Sequence, residues 1–513
     1  MNIIKRNMIA NFSGSIWSSL MGLVFTPLYI HFLGIEAYGL IGIFAILLAS
    51  FGLLDMGLSS TLSREMARLA VQDGNAQEMR DLVRTLEVPY WAIGLFISFI
   101  VIMLSPFIAY HWVHAKNLSP KTVQTAIMIM GLTVVFQWPI SFYSGGLMGL
   151  QRQVLLNGIN VVMATFRGLG TVLILWLVSP TVEAFFSWQI VSSAVHIISI
   201  AFFLWRILPP TAKAPRFRRD LLLNIWRFAA GMTGISVLVF ILTQLDKIIL
   251  SRMLSLTMFG YYTLAGSVAM VISRFVGPVF SATYPRLTNL VASGATEEII
   301  KLYHKSAQLL SVLILPAALV VALFSKEIML LWTQSPVIAE HTHVLVSILV
   351  IGTAINGILN ISYALQLASG WTRLAVLANV VSVLFLVPIL IVFIKWYGVV
   401  GAASVWVILN VGYMFISIPI MHRRLLPTEK WRWYFEDVGR PLFAAVVVAV
   451  IGRCIIKSNW SPLPLLVSLG MVSGGTLLVS ACAANQLDVV ARVKSFLTML
   501  RIRFVSLRKL NNE

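Results

Sequence analysis

Two arginines lie near the middle of apolar stretches that are long enough to cross a lipid bilayer, Arg167 within residues 154–178 and Arg274 within residues 257–282. An arginine at mid-membrane costs at least about 2.5–3.5 kcal/mol on insertion scales, so it must meet water, an anion or a carboxylate. The guanidinium group presents paired donors that match phosphate oxygens. The two residues therefore predict an anion-binding site within the membrane, and a phosphate or diphosphate is the anion they suit.

Other ionisable residues near the apolar stretches are mostly cationic. Lys247 lies beside Asp246 near the outer end of residues 222–248, and Arg227 lies near the inner end of the same stretch. A low-dielectric cavity with an excess of positive charge attracts anions. We therefore expect Lys247 and Arg227 to bind substrate together with the two mid-span arginines. For Arg227, an interfacial anchor is the alternative interpretation.

Polar residues recur every three or four positions in four of the stretches, so each series marks one face of a helix. Such a face can line a cavity, or it can pack closely against a neighbouring helix. Both interpretations stay open. The candidates for a polar cavity lining are Asn11 and Ser15 in the first stretch, Asn157 and Asn160 in the fifth, and Asn356 and Asn360 in the tenth.

Three further charged residues are candidates for the moving parts of a transport cycle. Asp55 and Arg64 lie at the inner end of residues 38–62, where they form either a gate or a membrane boundary. Asp55 and Asp246 are also candidates for coupling to a proton or sodium gradient, because an acid near cations in a partly dry cavity can change state during transport.

Fourteen apolar stretches provide the elements that must position these residues. Each has about the 20 residues that a helix needs to cross about 30 Å of hydrocarbon. Hydrophobic residues make up 59% of the chain and charged residues only 11%, and the connections are too short for a soluble domain. The predicted spans are 9–32, 38–62, 89–110, 122–146, 154–178, 182–204, 222–248, 257–282, 306–331, 342–366, 374–394, 398–421, 441–457 and 463–482.

The basic residues of the connections predict an orientation, because lysine and arginine stay preferentially on the cytoplasmic side. With the amino terminus inside, most of them fall on the inner face, and the opposite face holds only Lys116, Lys121, Arg252, Lys395 and Lys457. Both termini are therefore predicted to be cytoplasmic. The formal net charge of +19 is spread over many short loops beside anionic lipid, which argues against a nucleic-acid partner.

A basic, proline-containing segment, RILPPTAKAPRFRRD, separates six spans from the next six. After it, the pattern LGIEAYGLIGIF near span 2 is echoed by LSLTMFGYYTLA near span 8, which favours a duplicated architecture. We therefore expect an all-α membrane protein with two six-helix lobes and two added helices. The predicted divisions are a first lobe at 1–205, a linker at 206–221, a second lobe at 222–421, a loop at 422–440, helices 13 and 14 at 441–482, and an amphipathic tail on the inner membrane surface at 483–513.

The chain lacks the sequence signals of an enzyme or a metalloprotein. Cys454 and Cys482 are the two cysteines and have no ligand spacing. His341 and His343 are two positions apart, which places them on different faces of a helix. The scattered histidines are expected to be surface or interface residues; they are His111, His114, His196, His341 and His343. The predicted outer loops are shorter than a loop-borne active site requires. We expect a transporter that has no metal and no cofactor and acts on no nucleic acid.

The run NFSGSIWSSLMGLVFTPLYIHFLGIEAYGLIGIF, continued by LLDMGLSSTLSREMARL, resembles the bacterial polysaccharide flippases. These are the O-antigen (Wzx-type) exporters of the multidrug/oligosaccharidyl-lipid/polysaccharide superfamily, here called the MOP superfamily. The run LTQLDKIILSRMLSLTMFGYYTLA looks like the corresponding segment of the family's second lobe. The resemblance extends over the whole chain in length, span number and lobe plan.

The resemblance implies a V-shaped bundle like that of the multidrug and toxin exporters (MATE), with a cationic central cavity. It also implies a function in surface-polysaccharide or lipopolysaccharide synthesis: an undecaprenyl-diphosphate-linked oligosaccharide moves across the bacterial inner membrane by alternating access. The alternatives are a flippase for lipid-linked peptidoglycan precursors and a drug or cation antiporter of the same superfamily. The implied partners are the lipid-linked oligosaccharide, membrane lipids and a polysaccharide polymerase or chain-length protein, and the protein is expected to be a monomer.

Overall fold

The computed structural model describes residues 3–52, 55, 57–70, 74–222, 240–241, 243–456 and 460–487. Within these ranges the regular structure is helical, and the one β contact is an isolated bridge between His114 and Ser255. Eleven of the helices found there are long and apolar enough to cross a membrane. The prediction of an all-α, multi-pass membrane protein is confirmed.

The described chain divides into two compact units, Met1–Leu264 and Ala265–Glu513. In the first unit, α1 pairs with α6, α3 and α7 both pack on α4, and α2 packs on α5. The helices are α1 (Ile3–Gly52), α2 (Leu58–Leu69), α3 (Ala76–Phe107, continued by a π-helical turn Ile108–Trp112), α4 (Pro120–Gln137), α5 (Ile140–Gly149), α6 (Gln153–Leu177) and α7 (Val182–Ile207). Residues 243–253 are also helical.

The second unit is built around α10 and α12, which pack on each other. Helix α8 crosses the boundary between the units. The helices from α8 onward are α8 (Leu256–Ser273), α9 (Val276–Ser293), α10 (Thr296–Leu323), α11 (Ser325–Thr333), α12 (Pro336–Ala368), α13 (Arg373–Gly412), α14 (Ile418–Leu425), α15 (Arg440–Ile455) and α16 (Pro462–Ala483). Residues Tyr413–Ser417 and Trp433–Gly439 are π-helical.

Two of the long helices turn at a glycine. Gly34 in α1 has φ 81° and ψ 166°, and Gly398 in α13 has φ 58° and ψ −133°. A positive φ is accessible to glycine without the steric cost that a Cβ imposes. Eleven candidate helices, two of which turn in this way, give thirteen crossings in the part of the chain that is described. The fourteenth predicted span, 222–248, lies mostly outside that part.

Hydropathy placed the membrane-crossing parts more accurately than it placed the helix ends. Helices α3 and α10 begin at Ala76 and Thr296, well before the predicted spans, because a helix that leaves the membrane continues with a charged surface. The predicted end of span 2 at residue 62 is wrong, since α1 ends at Gly52 and α2 begins at Leu58, after Gly57 with φ 74°. A left-handed residue at that point ends the continuous helix.

The two sequence copies that suggested a duplication contact each other. A Cβ atom at Gly39 would lie 2.5 Å from the carbonyl oxygen of Leu256, and a Cβ at Gly260 would clash equally with the carbonyl oxygen of Ile35. Each copy therefore places a glycine against the backbone of the other at the equivalent position. This reciprocal contact is what a pseudo-twofold relation between duplicated segments produces. The division into two six-helix lobes itself stays a prediction.

The connections between the spans are also ordered. Asp81 and Thr85 on α3 accept hydrogen bonds from the backbone N–H groups of Arg216 and Arg218, at 2.8 and 2.9 Å, so the basic linker lies along α3. The stretch 422–440, predicted as a loop, is helical over most of its length. The predicted amphipathic tail lies outside the described residues from position 488 onward.

Candidate functional site

Arg167 lies on α6 where that helix is held closely between α1 and α7. The two glycines that follow it in the sequence RGLG make this possible, because a Cβ at Gly168 would collide with the ring of Phe25, and one at Gly170 with the indole of Trp188. Trp188 also donates a hydrogen bond from Nε1 to the carbonyl oxygen of Arg167, at 3.2 Å. The local sequence thus fixes the backbone of Arg167 against two neighbouring helices.

The side chain of Arg167 is half-buried, and the residues that the structure describes provide no counter-charge for its guanidinium group. Its Nε atom is buried without a hydrogen-bond partner, and no carboxylate of the described residues forms an ion pair with it. Its titratable neighbours are the Tyr29 hydroxyl and the His196 imidazole. A buried cation without a partner is costly in a membrane, so this site can accept an anion.

Uncharged polar side chains on α6 and α7 form hydrogen bonds near Arg167, whose carbonyl oxygen accepts a hydrogen bond from Thr171 at 2.7 Å. The Nε2 atom of His196 on α7 lies 3.1 Å from the Oδ1 atom of Asn160. The Nδ1 atom of His196 is buried without a partner. Gln189 donates to Thr171 at 3.3 Å. Our sequence reasoning treated His196 as a surface or interface residue, although Gln189, Ser193 and His196 recur at helical spacing on α7 and could have indicated a polar face. Neutral donors and acceptors around a cation suit a hydroxylated, anionic ligand.

Arg274 lies at an interruption between two helices. α8 ends at Ser273 and α9 begins at Val276, and the backbone N–H of Arg274 bonds to the carbonyl oxygen of Val271 in a tighter turn. Pro278 explains the interruption, because proline has no N–H to bond to the carbonyl group of Arg274. The side chain is exposed and has no ion-pair partner among the described residues. Interrupted helices at membrane depth are typical of transporter binding sites.

The asparagine candidates contact one another across helix pairs. In the first unit, Asn157 on α6 donates to Asn11 on α1 at 2.6 Å. In the second, Asn356 on α12 donates to Asn410 on α13 at 2.8 Å. Asn360 uses its amide group on the carbonyl oxygen of Asn356, at 2.9 Å. The contacts between helices favour the helix-packing interpretation for Asn11, Asn157 and Asn356, whereas Asn360 bonds within its own helix and Asn160 lies beside His196.

The remaining candidates lie apart from Arg167. Ser15 is exposed on α1, and its carbonyl oxygen accepts a bond from Ser19. Asp55 accepts hydrogen bonds from Ser59 Oγ, at 2.5 Å, and from the Tyr90 hydroxyl. Arg64 instead pairs with Glu65 at 2.8 Å, so the two predicted gate residues do not pair with each other in this conformation.

Asp246 and Lys247 have different neighbours, although they are adjacent in the sequence. Asp246 Oδ2 accepts from the Tyr262 hydroxyl at 2.8 Å, while its Oδ1 atom is buried without a partner. Lys247 donates to Gln244 at 3.4 Å. Asp246 is therefore a carboxylate with free hydrogen-bonding capacity. Arg227 lies outside the described residues.

Comparison with known proteins identifies the family. A family model described as "polysaccharide biosynthesis protein" matches residues 4–291, more than half of the chain, and a second, described as MatE, matches residues 232–393. The chain belongs to the polysaccharide biosynthesis protein family. Its resemblance to the polysaccharide flippases of the MOP superfamily is thereby confirmed, and it is a member of an exporter superfamily.

Named relatives and solved structures agree with this assignment. The chain is 20% identical over 407 residues to a protein named "Putative O-antigen transporter" from Shigella flexneri, covering 79% of this chain and 94% of that protein. It is 23% identical over 328 residues to "Uncharacterized membrane protein EpsK" of Bacillus subtilis (strain 168), covering 61% and 62%.

The fold is similar to that of "Lipid II flippase MurJ, inward closed conformation", with a TM-score of 0.70 at 13% identity over 92% of this chain and 98% of the other. A MATE family transporter of the MOP superfamily in its inward-facing conformation gives a TM-score of 0.62 at 14% identity, with coverage of 82% and 96%. At this level of identity the likeness shows the fold alone.

Buried carboxylates in this exporter are more numerous than the sequence suggested, and protein donors engage each of them. Glu36 accepts from the backbone of Lys116 and Asn117, Glu87 pairs with Arg84, and Glu327 with Arg453. Hydropathy did not single them out, because four of them lie outside the predicted spans and Glu327 lies near the end of span 306–331. The buried acids in the described ranges are Glu36, Asp81, Glu87, Glu327 and Asp437.

Proposed function

We propose that this protein is a flippase that moves an undecaprenyl-diphosphate-linked oligosaccharide from the cytoplasmic to the outer leaflet of the bacterial inner membrane. The observation that carries the proposal is the half-buried side chain of Arg167 on α6, whose Nε atom is buried without a hydrogen-bond partner and which has no carboxylate ion-pair partner among the described residues. A diphosphate supplies the missing negative charge, and the guanidinium fork suits its oxygens. The family and the Shigella flexneri relative support a polysaccharide substrate.

The neutral polar side chains near Arg167 have a place in this proposal. Asn160, His196 and Gln189 present both donors and acceptors, and such groups bind sugar hydroxyls without a strong preference for one stereochemistry. Arg274, Lys247 and Arg227 are proposed as further cationic contacts for the lipid-linked anion. The lipid tail stays in the bilayer, because burying its apolar surface in protein would bring no gain over lipid.

Coupling to a proton or sodium gradient is assigned to Asp246 first and Asp55 second. Asp246 has an unpartnered oxygen, whereas Asp55 is already engaged by Ser59 and Tyr90. We further propose that the protein is a monomer, has both termini in the cytoplasm and uses no cofactor. It acts beside a polysaccharide polymerase or chain-length protein. If Asp246→Asn and Asp55→Asn both leave transport equally dependent on the membrane gradient, this assignment of the coupling site is wrong.

The first experiment is complementation of a flippase-deleted strain, scored for surface polysaccharide at matched protein level. Arg167→Ala should lose at least about tenfold of the polymer, because a hydrogen bond to a charged group contributes about 1.5–3 kcal/mol. Arg274→Ala should also lose polymer. The matched control is Arg68→Ala, an exposed arginine paired with Glu65 at 2.7 Å, which should retain it. Full activity of both mid-span variants would overturn the anion-site proposal.

A lipid-linked peptidoglycan precursor is the second candidate substrate, favoured by the fold likeness to MurJ. Rescue of a strain depleted of its peptidoglycan precursor flippase distinguishes the two. Growth upon expression of this protein would assign the precursor. Drug resistance without polymer would instead favour the antiporter alternative, for which the MatE match over residues 232–393 is the supporting observation.

A further inference from the structure

A second ionisable cluster lies in the unit Ala265–Glu513 and includes none of the residues assigned to transport. His304 on α10 is fully buried, and both of its ring nitrogens face carboxylates. Its Nδ1 atom lies 2.5 Å from Asp437 Oδ2, and its Nε2 atom lies 2.9 Å from Glu429 Oε2. Gln308, one turn further along α10, donates to the other oxygen of Asp437 at 3.0 Å.

The geometry sets the number of protons in this cluster. A carboxylate oxygen accepts hydrogen bonds, so each of the two contacts needs a hydrogen atom between nitrogen and oxygen. A neutral imidazole carries one N–H and can satisfy only one contact. The second contact therefore requires one additional proton, which His304 and its carboxylate partner share; an imidazolium ion between two carboxylates describes this state.

The charge of the surrounding groups leads to the same state. Arg432 contacts Glu429 at 3.3 Å, so an imidazolium and Arg432 balance the charges of Asp437 and Glu429. Burial alone would raise the pKa of the Glu429 carboxyl, but hydrogen bonds from Thr428, His304 and Arg432 outweigh it and hold that pKa below its ordinary value. This pKa favours the ionised form of Glu429, and the geometry places the additional proton between His304 Nδ1 and Asp437 Oδ2.

Other polar groups face the cluster from neighbouring elements. Tyr303 contacts Ser362 on α12 at 2.8 Å and His422 on α14 at 3.1 Å, and His422 Nδ1 lies 3.0 Å from the carbonyl oxygen of Ile418. A neutral His422 satisfies these contacts, because the Tyr303 hydroxyl can donate to its Nε2 atom. The remaining ionisable groups nearby are Lys430, Tyr434 and Glu436, the last paired with Arg432 at 3.5 Å.

The position of the cluster relates it to the two added helices. Asp437 belongs to the π-helical turn that leads directly into α15, and α15 and α16 pack on each other and on α10. The far end of the same interface holds the Glu327–Arg453 ion pair, at 2.6 Å. Beside that pair lies an apolar cluster formed by Val320, Phe324, Ile456, Leu465 and Leu469. His304 therefore bonds α10 to the start of this helix pair.

We propose that His304, Asp437 and Glu429 form a buried proton-binding site whose occupancy fastens the helix pair α15–α16 to α10. Loss of the proton removes one of the two hydrogen bonds and leaves an excess negative charge in a buried position, which is unfavourable. Side-chain exposure rises from 0% at His304 to 15% at Glu429 and 36% at Arg432, so protons reach the site past Glu429. The proposal does not depend on the transported substrate.

The test is the pH dependence of thermal stability for the purified full-length protein in nanodiscs, from about pH 5.5 to 9. A histidine whose charged form is stabilised by folding contributes stability at low pH and loses it as pH rises. The wild type should therefore show a downward step in Tm with rising pH, and His304→Gln should lack that step. The matched control, His422→Gln, removes a buried histidine that faces no carboxylate directly, and it should lower Tm while keeping the step.

A second variant keeps the test decisive if His304→Gln does not fold. Glu429→Gln replaces a carboxylate at the edge of the cluster by an amide that can donate to a neutral imidazole, so the step should shrink. An unchanged step in either His304→Gln or Glu429→Gln would overturn the proposal, as would its loss in His422→Gln.

Thiol modification locates the change. In a Cys454→Ser, Cys482→Ser background, Leu465→Cys introduces a thiol into the apolar cluster against α10, at a position that is 2% exposed. Its modification rate should rise with pH more steeply than that of the exposed native Cys454, measured in a separate protein that carries only Cys482→Ser, and His304→Gln should abolish the difference. Equal pH dependence of the two thiols would show that the helix pair does not move.

Discussion

Arg167 and His304 are both basic residues in helices of this exporter, and they differ in what surrounds them. Arg167 has aromatic and neutral polar neighbours and no carboxylate within the described residues, whereas His304 lies between Asp437 and Glu429. A compensated cation holds helices together, and an uncompensated one is stable only when a ligand or water reaches it. The comparison therefore separates a binding residue from a residue that fastens the fold.

The largest effect is expected when the compensated site loses one partner. Asp437→Ala removes one of the two carboxylates that accept from His304, and breaking a buried ion pair costs about 3–5 kcal/mol. We expect the free energy of unfolding to fall by that order, measured by denaturant or thermal unfolding in nanodiscs. A fall as small as that of Glu340→Ala, which removes an exposed partner of Lys326 at 2.6 Å, would show that the cluster carries no buried ion pair.

The uncompensated site should give the opposite result for stability. Arg167→Leu removes a cation that has no ion-pair partner among the described residues. The free energy of unfolding should therefore stay the same or rise, by up to about 3 kcal/mol on insertion scales, and Tm should not fall. Transport should nevertheless be lost. Thermal unfolding and the complementation assay on the same variant give both values. A Tm well below that of the wild type would show that Arg167 stabilises the fold, as His304 is proposed to do.

The smallest effect is expected for the uncharged asparagine pairs. The experiment tests whether such a pair stabilises the fold or binds substrate. In a double-mutant cycle of Asn11→Ala and Asn157→Ala, we expect a coupling energy of about 0.6 kcal/mol, which is typical of hydrogen bonds between membrane helices. Polymer production should remain near that of the wild type. A large loss of polymer with little change in stability would return these residues to the cavity lining.

The mid-span arginines could be found from the sequence because the cost of burying a charge is a property of one residue and its apolar neighbours. The turns at Gly34 and Gly398 were likewise near the predicted span boundaries. His304 could not be found in this way, because its carboxylate partner Asp437 is 133 positions away. Hydropathy placed both residues outside the predicted spans, and only the helix packing shows that they are buried together.

The sequence by itself determined the class of the protein, the number of spans and the family, since hydrophobic length and composition act locally along the chain. It also determined that Arg167 and Arg274 are costly in a bilayer. The tertiary structure decided which polar residues are already satisfied, such as Glu87 with Arg84 and His304 with Asp437, and which retain free capacity, such as Arg167. That distinction depends on pairs of side chains brought together by helix packing, and no pattern within a single helix specifies them.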